Sequence, residues 1–160
     1  MKKVMLAFCL NVFSCMLYSQ TYVYNHQWMS FDSLRVTVSM GHVLPGHSNM
    51  FTESLLTVQG SSIYKGYSTS TFDLLYTFKE EKLYTDRGSL LSDLLYTVRN
   101  GKVYRGDSTM MMDCLYTYDV KSGKIYTGDS TFALDAVLWL QGDMLSEIEM
   151  CAVLLQLGMI

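Results

Sequence analysis

Four tyrosines, Tyr64, Tyr84, Tyr104 and Tyr126, recur at intervals of 20, 20 and 22 residues, and Lys82, Lys102 and Lys124 each stand two positions before one of them. Aromatic faces at even spacing stack on sugar rings or bases, and ammonium groups beside them hold anions, so this column is the first candidate ligand surface. Tyrosine also suits strands for purely structural reasons. A second row, Glu53, Asp73, Asp93, Asp113 and Asp135, keeps the same spacing. A glycosidase needs two acids in different environments, which a uniform row does not offer. Each of these acids directly precedes an apolar run, where its carboxylate is expected to accept hydrogen bonds from the neighbouring turn.

The element Gly-Asp-Ser-Thr occurs twice, at 106–109 and 128–131. Stacked Asp and Ser oxygens are calcium chemistry, but Arg87, His47 and Tyr67 replace the first Asp in the other copies. No regular carboxylate cage is left, and turn chemistry accounts for the element instead: Gly supplies positive φ, and Asp and Ser bond their own backbone. His26, His42 and His47, the only histidines, would make a zinc site only if a distant segment stacked beside them; no metal is expected. No HExxH, GxSxG or phosphate-binding glycine loop is present. Neither catalysis nor a cofactor is expected.

The elements that position these residues are tandem hairpins. Four segments align, 55–73, 74–93, 94–113 and 114–135, preceded by a weaker copy at 34–53 and followed by a half copy at 136–145. The segment Tyr22-Val23-Tyr24 with Thr21 matches the second half of a unit and could open the array. In the third unit Asn100-Gly101 splits two strands, the strongest short hairpin signal, because a type I′ turn needs positive φ at both positions. Gly60-Ser61 and Gly142-Asp143 suit type II′ turns in the same place. Glu80-Glu81 fits badly and marks a strained turn. The two extra residues of the fourth unit fall in this turn, between Val120 and Gly123.

This register makes Val38–Val43, Val58–Ile63, Phe78–Leu83, Val98–Val103, Tyr118–Ile125 and Leu140–Leu145 cross-strand pairs, all apolar, stacked into one spine. Period-2 alternation adds Leu56, Leu74, Leu94, Cys114, Leu138 and the tyrosines Tyr76, Tyr96 and Tyr116 to that face. Thr77, Thr97 and Thr117 share the other, half-wet face with the tyrosine column. The fold expected is all-β: tandem β-hairpin repeats over 21–145, as a single twisted meander or a hairpin solenoid. A short capping helix then follows over 146–157, within a C-terminal segment 146–160. Ser146 and Glu149 form its capping box and Gly158 its C-terminal cap. Docked over the Leu138–Leu140–Leu145 end of the spine, with Ile148, Cys151, Val153 and Leu155 inward, it would hide the open edge.

Residues 1–20 read as an export signal: Lys2 and Lys3, an apolar run from Val4 to Leu10, then small and polar residues. The run is too short for a bilayer-spanning helix of ~20 residues. Val12 and Ser14 ahead of Cys15 loosely match a lipobox, which would make Cys15 a lipidation site and the anchor the only membrane contact; Ser19 or Gln20 could equally end an ordinary signal. Without residues 1–20 the formal charge moves from −3 to −5, since two lysines and no acid are lost. A mildly acidic chain lacks the basic footprint of a nucleic-acid binder. Cys114 and Cys151 remain, each in an apolar run, and are expected as buried thiols.

The units YTVRNGKVYRGDST and YTYDVKSGKIYTGDST resemble those of small exported bacterial proteins with tandem LYT-x-x-GK-x-Y-x-G-(D/N)-ST hairpins, over residues 34–145. There is a looser similarity to choline-binding cell-wall repeats, whose tryptophan cages have no repeated counterpart in Trp28 and Trp139. The resemblance implies hairpins and export and brings no activity. The function expected is a non-catalytic structural or interaction module of the cell envelope, periplasmic, envelope-anchored or extracellular. Its partner would be an envelope protein or a polysaccharide. The alternative is a carbohydrate-binding surface along an exposed tyrosine column.

Overall fold

The computed structural model describes residues 19–88 and 90–160; Cys15 and nearly all of the expected leader lie outside them. Twelve strands follow in order: β1 (Gln20–Tyr24), β2 (Leu34–Ser39), β3 (His42–Pro45), β4 (Leu56–Gln59), β5 (Ser62–Lys65) and β6 (Leu74–Lys79), then β7 (Lys82–Thr85), β8 (Leu94–Arg99), β9 (Lys102–Arg105), β10 (Cys114–Asp119), β11 (Lys124–Thr127) and β12 (Ala136–Gly142). Each pairs antiparallel with its neighbours in sequence, and β12 pairs with β1. The sheet is therefore a closed barrel of six hairpins, neither the open meander nor the solenoid that the repeat pattern alone suggested.

Closure comes from the two incomplete units. The C-terminal half copy supplies β12 and the N-terminal half copy supplies β1, and together they make the sixth hairpin. The expected Leu140–Leu145 pair is thus replaced by Leu140 opposite Val23, and Gly142-Asp143 is no hairpin turn, since Gly142 pairs with Thr21. The other five spine pairs stand in the register read from the sequence. Closing the ring leaves no unpaired edge to protect.

The two-residue turns show the φ values their sequences require. Asn100 and Gly101 sit at +54° and +74°, and Glu80 and Glu81 at +53° and +62°. Two adjacent glutamates in the left-handed region are strained. Every two-residue turn lies at one rim of the barrel, the turn rim; the longer connectors between hairpins lie at the other, the connector rim.

A bulge recurs where five of the six hairpins start, the β3–β4 ladder being the exception. The ladder between β9 and β10 slips from Cys114 to Tyr116, and equivalent slips follow Ile63, Leu83 and Ile125. The extra residue reverses the alternation. Leu74, Leu94 and Cys114, expected on the core face, instead oppose the outward Tyr64, Tyr84 and Tyr104. Tyr76, Tyr96 and Tyr116 do pack on the core.

The C-terminal helix, α1 (Glu147–Gln156), has the capping box: the Glu149 carboxylate accepts from the Ser146 N–H at 2.9 Å and the Ser146 hydroxyl accepts from the Glu149 N–H. It is not a lid on a spine end. Met150, Cys151, Ala152, Val153 and Leu154, five consecutive residues, are all 0% exposed and belong to one core with spine residues of every hairpin. Five consecutive helical residues cover the whole circumference, so the barrel surrounds α1. Its first residue meets the turn rim, where Glu147 accepts the Gly101 N–H at 3.3 Å. Its last turn stands beside Arg35, Pro45 and Leu55 at the connector rim. Barrels of roughly eight strands are filled by their own side chains, and twelve enclose a wider lumen; a helix about 10–12 Å across with its side chains fills it. Burial pushes the Cys151 thiol up to about 12. Cys114 is also buried, and neither cysteine is bridged.

Candidate functional site

The outward tyrosine column is not the exposed aromatic face that sugar stacking needs. Tyr104 and Tyr126 are buried and Tyr64 and Tyr84 only half exposed. The bulge brings Cys114 against Tyr104, and each connector folds back over the outer face of its own hairpin. A threonine holds that fold in place. Thr37, Thr57, Thr77, Thr97 and Thr117 each donate to the carbonyl of the turn that follows the second strand (Gly46, Gly66, Asp86, Gly106 and Gly128) at 2.6–2.7 Å. Four of these threonines are buried, so this face is drier than its mixed composition suggested.

Two of the three column lysines have internal partners. Lys82 pairs with Asp107 of the next hairpin at 2.6 Å, and Lys102 pairs with Asp129 of the hairpin after it. Their carboxylates raise both ammonium pKa values. The first Asp of the Gly-Asp-Ser-Thr element is therefore a bridge between hairpins. In the same slot at the first hairpin, His42 stacks on Tyr67 of the second, with centroids 5.4 Å apart, and on Phe51 at 4.7 Å. The His42 ring also meets the Ser54 and Thr57 hydroxyls at 3.0 and 3.1 Å, and burial lowers its pKa. His47 stacks on Phe31, at 3.6 Å, and His26 accepts from the Trp28 N–H. The three histidines are engaged separately. Among the described residues no group of three or more His, Cys, Asp or Glu is placed to hold a metal.

The row of acids closes turns. Ser108 donates to Asp113 at 2.6 Å, and Ser48 and Ser130 bond Glu53 and Asp135 in the same way. The same serine oxygens accept the N–H groups of Met50, Met110 and Phe132 two residues on. This is the local capping expected for that row.

What the sequence reading overlooked lies between those serines and acids. Every connector exposes large apolar side chains: Phe31, Met50, Phe72, Leu91, Met112 and Leu134 are one from each, and Phe72, Met112 and Leu134 are 96, 91 and 98% exposed. Trp28, Leu90, Met110, Met111 and Phe132 add to them. One-turn 3₁₀ helices such as Met111–Asp113 and Leu91–Asp93 carry several of these residues outward. Because one connector follows each hairpin, these side chains recur around the closed ring as an apolar crown. Scattered exposed apolar residues need no explanation, but the same exposure repeated at every connector makes this the candidate surface. The signal was legible in runs such as MMM (110–112) and SLL (89–91), set in loops that should be polar.

Gln20 pairs with Ser39, next to the turn at Met40, so the chain enters β1 at the turn rim. No curated protein and no solved structure matches the chain. Residues 20–154 match the model of the 6-fold beta flower protein family, and the chain belongs to that family.

Proposed function

We propose that the protein is a non-catalytic module of the cell envelope, exported through residues 1–20, that docks an envelope protein on its apolar crown. The observation that carries this reading is the crown itself, six connectors each exposing Met, Leu or Phe. Unbranched Met adapts to an irregular partner surface. The two ion pairs Lys82–Asp107 and Lys102–Asp129 neutralise each other on the barrel wall, which leaves apolar contact as the stronger recognition chemistry. Of the acids that might have served hydrolysis, Glu53, Asp113 and Asp135 are tied into turns. Processing at or before Ser19 would keep the β1 ladder whole, whereas loss of Gln20 would remove its pairing with Ser39.

A photo-crosslinking residue placed at Met112, and at Met40 on the turn rim as control, tests this in intact cells. The expected result is a protein adduct of one mass from position 112 only, lost in the Phe72→Ser/Met112→Ser/Leu134→Ser variant. Adducts to lipid, to polysaccharide or to a second copy of the chain would each overturn the reading. Mass spectrometry of the exported protein decides between lipid on Cys15 and an ordinary cut near Ser19.

A further inference from the structure

The sixfold pattern breaks at one point inside the connector rim. The residue at the bulge position of each hairpin is apolar in five of six copies, Leu55, Leu75, Leu95, Leu115 and Val137, and is Arg35 in the sixth. The equivalence is structural. The carbonyls of Arg35, Leu55, Leu75, Leu95 and Leu115 each accept the N–H of the turn that follows their hairpin, at 2.7–3.1 Å. Leu55, Leu75 and Val137 pack on the core. Arg35 instead lines a cleft of ≈ 510 Å³ between the barrel wall and the end of α1, with Leu55, Val137 and Leu138 on the wall and Leu157 and Met159 on the helix side. Its volume falls within the ~300–1,000 Å³ of small-molecule sites.

The guanidinium is held in place. With its amide nitrogen donating to the Ser33 carbonyl at 3.0 Å, Asn25 accepts from both Nε and Nη2 of Arg35 at 2.8 Å. Three of the five guanidinium N–H donors remain. Among the described residues Arg35 enters no ion pair, unlike Lys82, Lys102 and Arg99. A fixed, solvent-exposed cation facing Leu55, Val137, Leu157 and Met159, with Asn25 and Gln156 as the other polar lining, suits an anion with an apolar body.

We propose that this cleft binds a monocarboxylate with an apolar body, the carboxylate on the free edge of Arg35 and the hydrocarbon along Leu55, Val137 and Leu157. The guanidinium fork matches a carboxylate in two parallel bonds, which a hydroxyl or an ammonium cannot reproduce. Asn25 is a positioning residue. The site does not depend on the crown having a protein partner, because it is a property of the barrel mouth alone.

Calorimetric titration of the exported, processed protein with decanoate, decanol, decylammonium and acetate tests it. Decanoate is expected to bind at least about tenfold more tightly than each of the others, a difference of about 1.4 kcal/mol. Arg35→Met, which keeps the apolar stem, is expected to weaken decanoate by a similar factor with an unchanged melting curve. Asn25→Ala should weaken it less, and Arg35→Lys should recover only part of the loss. Equal binding of decanoate and decanol, an unaltered Kd in a folded Arg35→Met variant, or no decanoate binding at millimolar concentration would overturn the proposal. If Arg35→Met does not fold, the ligand series on the native protein still decides it.

Discussion

Hairpins β6–β7, β8–β9 and β10–β11 share a threonine latch and a tyrosine under the folded-back connector; the last two add a serine–acid turn, and the first two a lysine reaching the next hairpin's aspartate. Around the seam and the first two hairpins the same slots hold other residues. Aromatic stacking replaces the ion pair at His42, arginine replaces leucine at position 35, and a strand from the opposite end of the chain replaces the turn at Gly142. Both regions keep the same backbone. Threonine latches and inward apolar pairs therefore define the fold, and the outer slots are free to vary. Departures from the repeat concentrate around the seam, which is where a ligand chemistry can be sought.

The harshest way to break the comparison is to remove what both regions share. Helix α1 buries six residues, of which the large ones contribute about 1.5–3 kcal/mol each. Their sum rivals the net stability of a domain, ~5–15 kcal/mol. Deleting residues 146–160 is expected to abolish the ring in both regions together, read as loss of the cooperative far-UV melt. A folded, self-associating barrel would instead mean that α1 serves only as a cover, the role its capping box and apolar run suggested from sequence.

Next is Val98→Asp in the regular half. Val98 is 0% exposed opposite Val103, so the new carboxylate would be buried without a partner, at a cost of several kcal/mol. Arg99, its neighbour, faces outward and pairs loosely with Glu81 at 3.4 Å. Arg99→Asp is expected to move the urea midpoint little. Equal damage from the two would mean that inward and outward sides are exchanged.

These two variants rest on what the sequence made legible. The five inward pairs followed from alternation and from turn residues with an obligatory φ, both local properties. Closure did not. Nothing in residues 21–24 or 136–145 says that two half hairpins 110 residues apart meet, because the pairing partner of a strand is decided by the whole ring. The helix was read as a cap because the end of an open array must be hidden; its run MCAVLL, apolar on every side, was the sign of full burial. The bulge escaped for a similar reason. Two leucines in a row, Leu74 and Leu75, fit simple alternation until the outer ladder is seen to slip. Of the site, the tyrosines were found as a pattern, but their cover comes from connectors that the sequence gives no direction.

The seam can be tested separately from the repeats with two glycines. Gly142 has φ +127°, and a Cβ there would lie 2.0 Å from the Gln20 carbonyl oxygen across the seam. Gly128, in a regular connector, has φ +62° and nothing nearer than the Cys114 oxygen at 3.9 Å. Gly142→Ala is expected to cost about 2–4 kcal/mol through clash and backbone strain, and Gly128→Ala about 1 kcal/mol through strain alone. Hydrogen exchange should show the first loss concentrated in β1. Equal costs would mean that the ends are not paired as tightly as the other strands.

The smallest difference is the most specific to the two regions. His42 and Lys102 occupy the same slot, each reaching the connector of the following hairpin, one by stacking and one by charge. His42→Ala removes two stacked contacts and is expected to cost about 1 kcal/mol at pH 7.5 and at any salt concentration. Lys102→Met removes an ion pair at the surface, worth about 0.5 kcal/mol at most, and the loss should vanish in 1 M salt, where charges are screened beyond about 3 Å. The pH limbs run in opposite directions. Burial lowers the His42 pKa from 6.5, so the unfolded chain takes up a proton first, and this contribution is complete above pH 6.5 and lost as pH falls. Asp129 raises the Lys102 pKa above 10.5, so that contribution is complete below pH 10.5 and lost as pH rises past it. Denaturant midpoints of the two variants against the parent protein, at pH 5, 7.5 and 11 and at two salt concentrations, separate the slots. A salt-sensitive His42→Ala or a salt-indifferent Lys102→Met would show that the chemistry of the slot does not follow its residue, and the divergent first hairpins would lose their claim to a separate role.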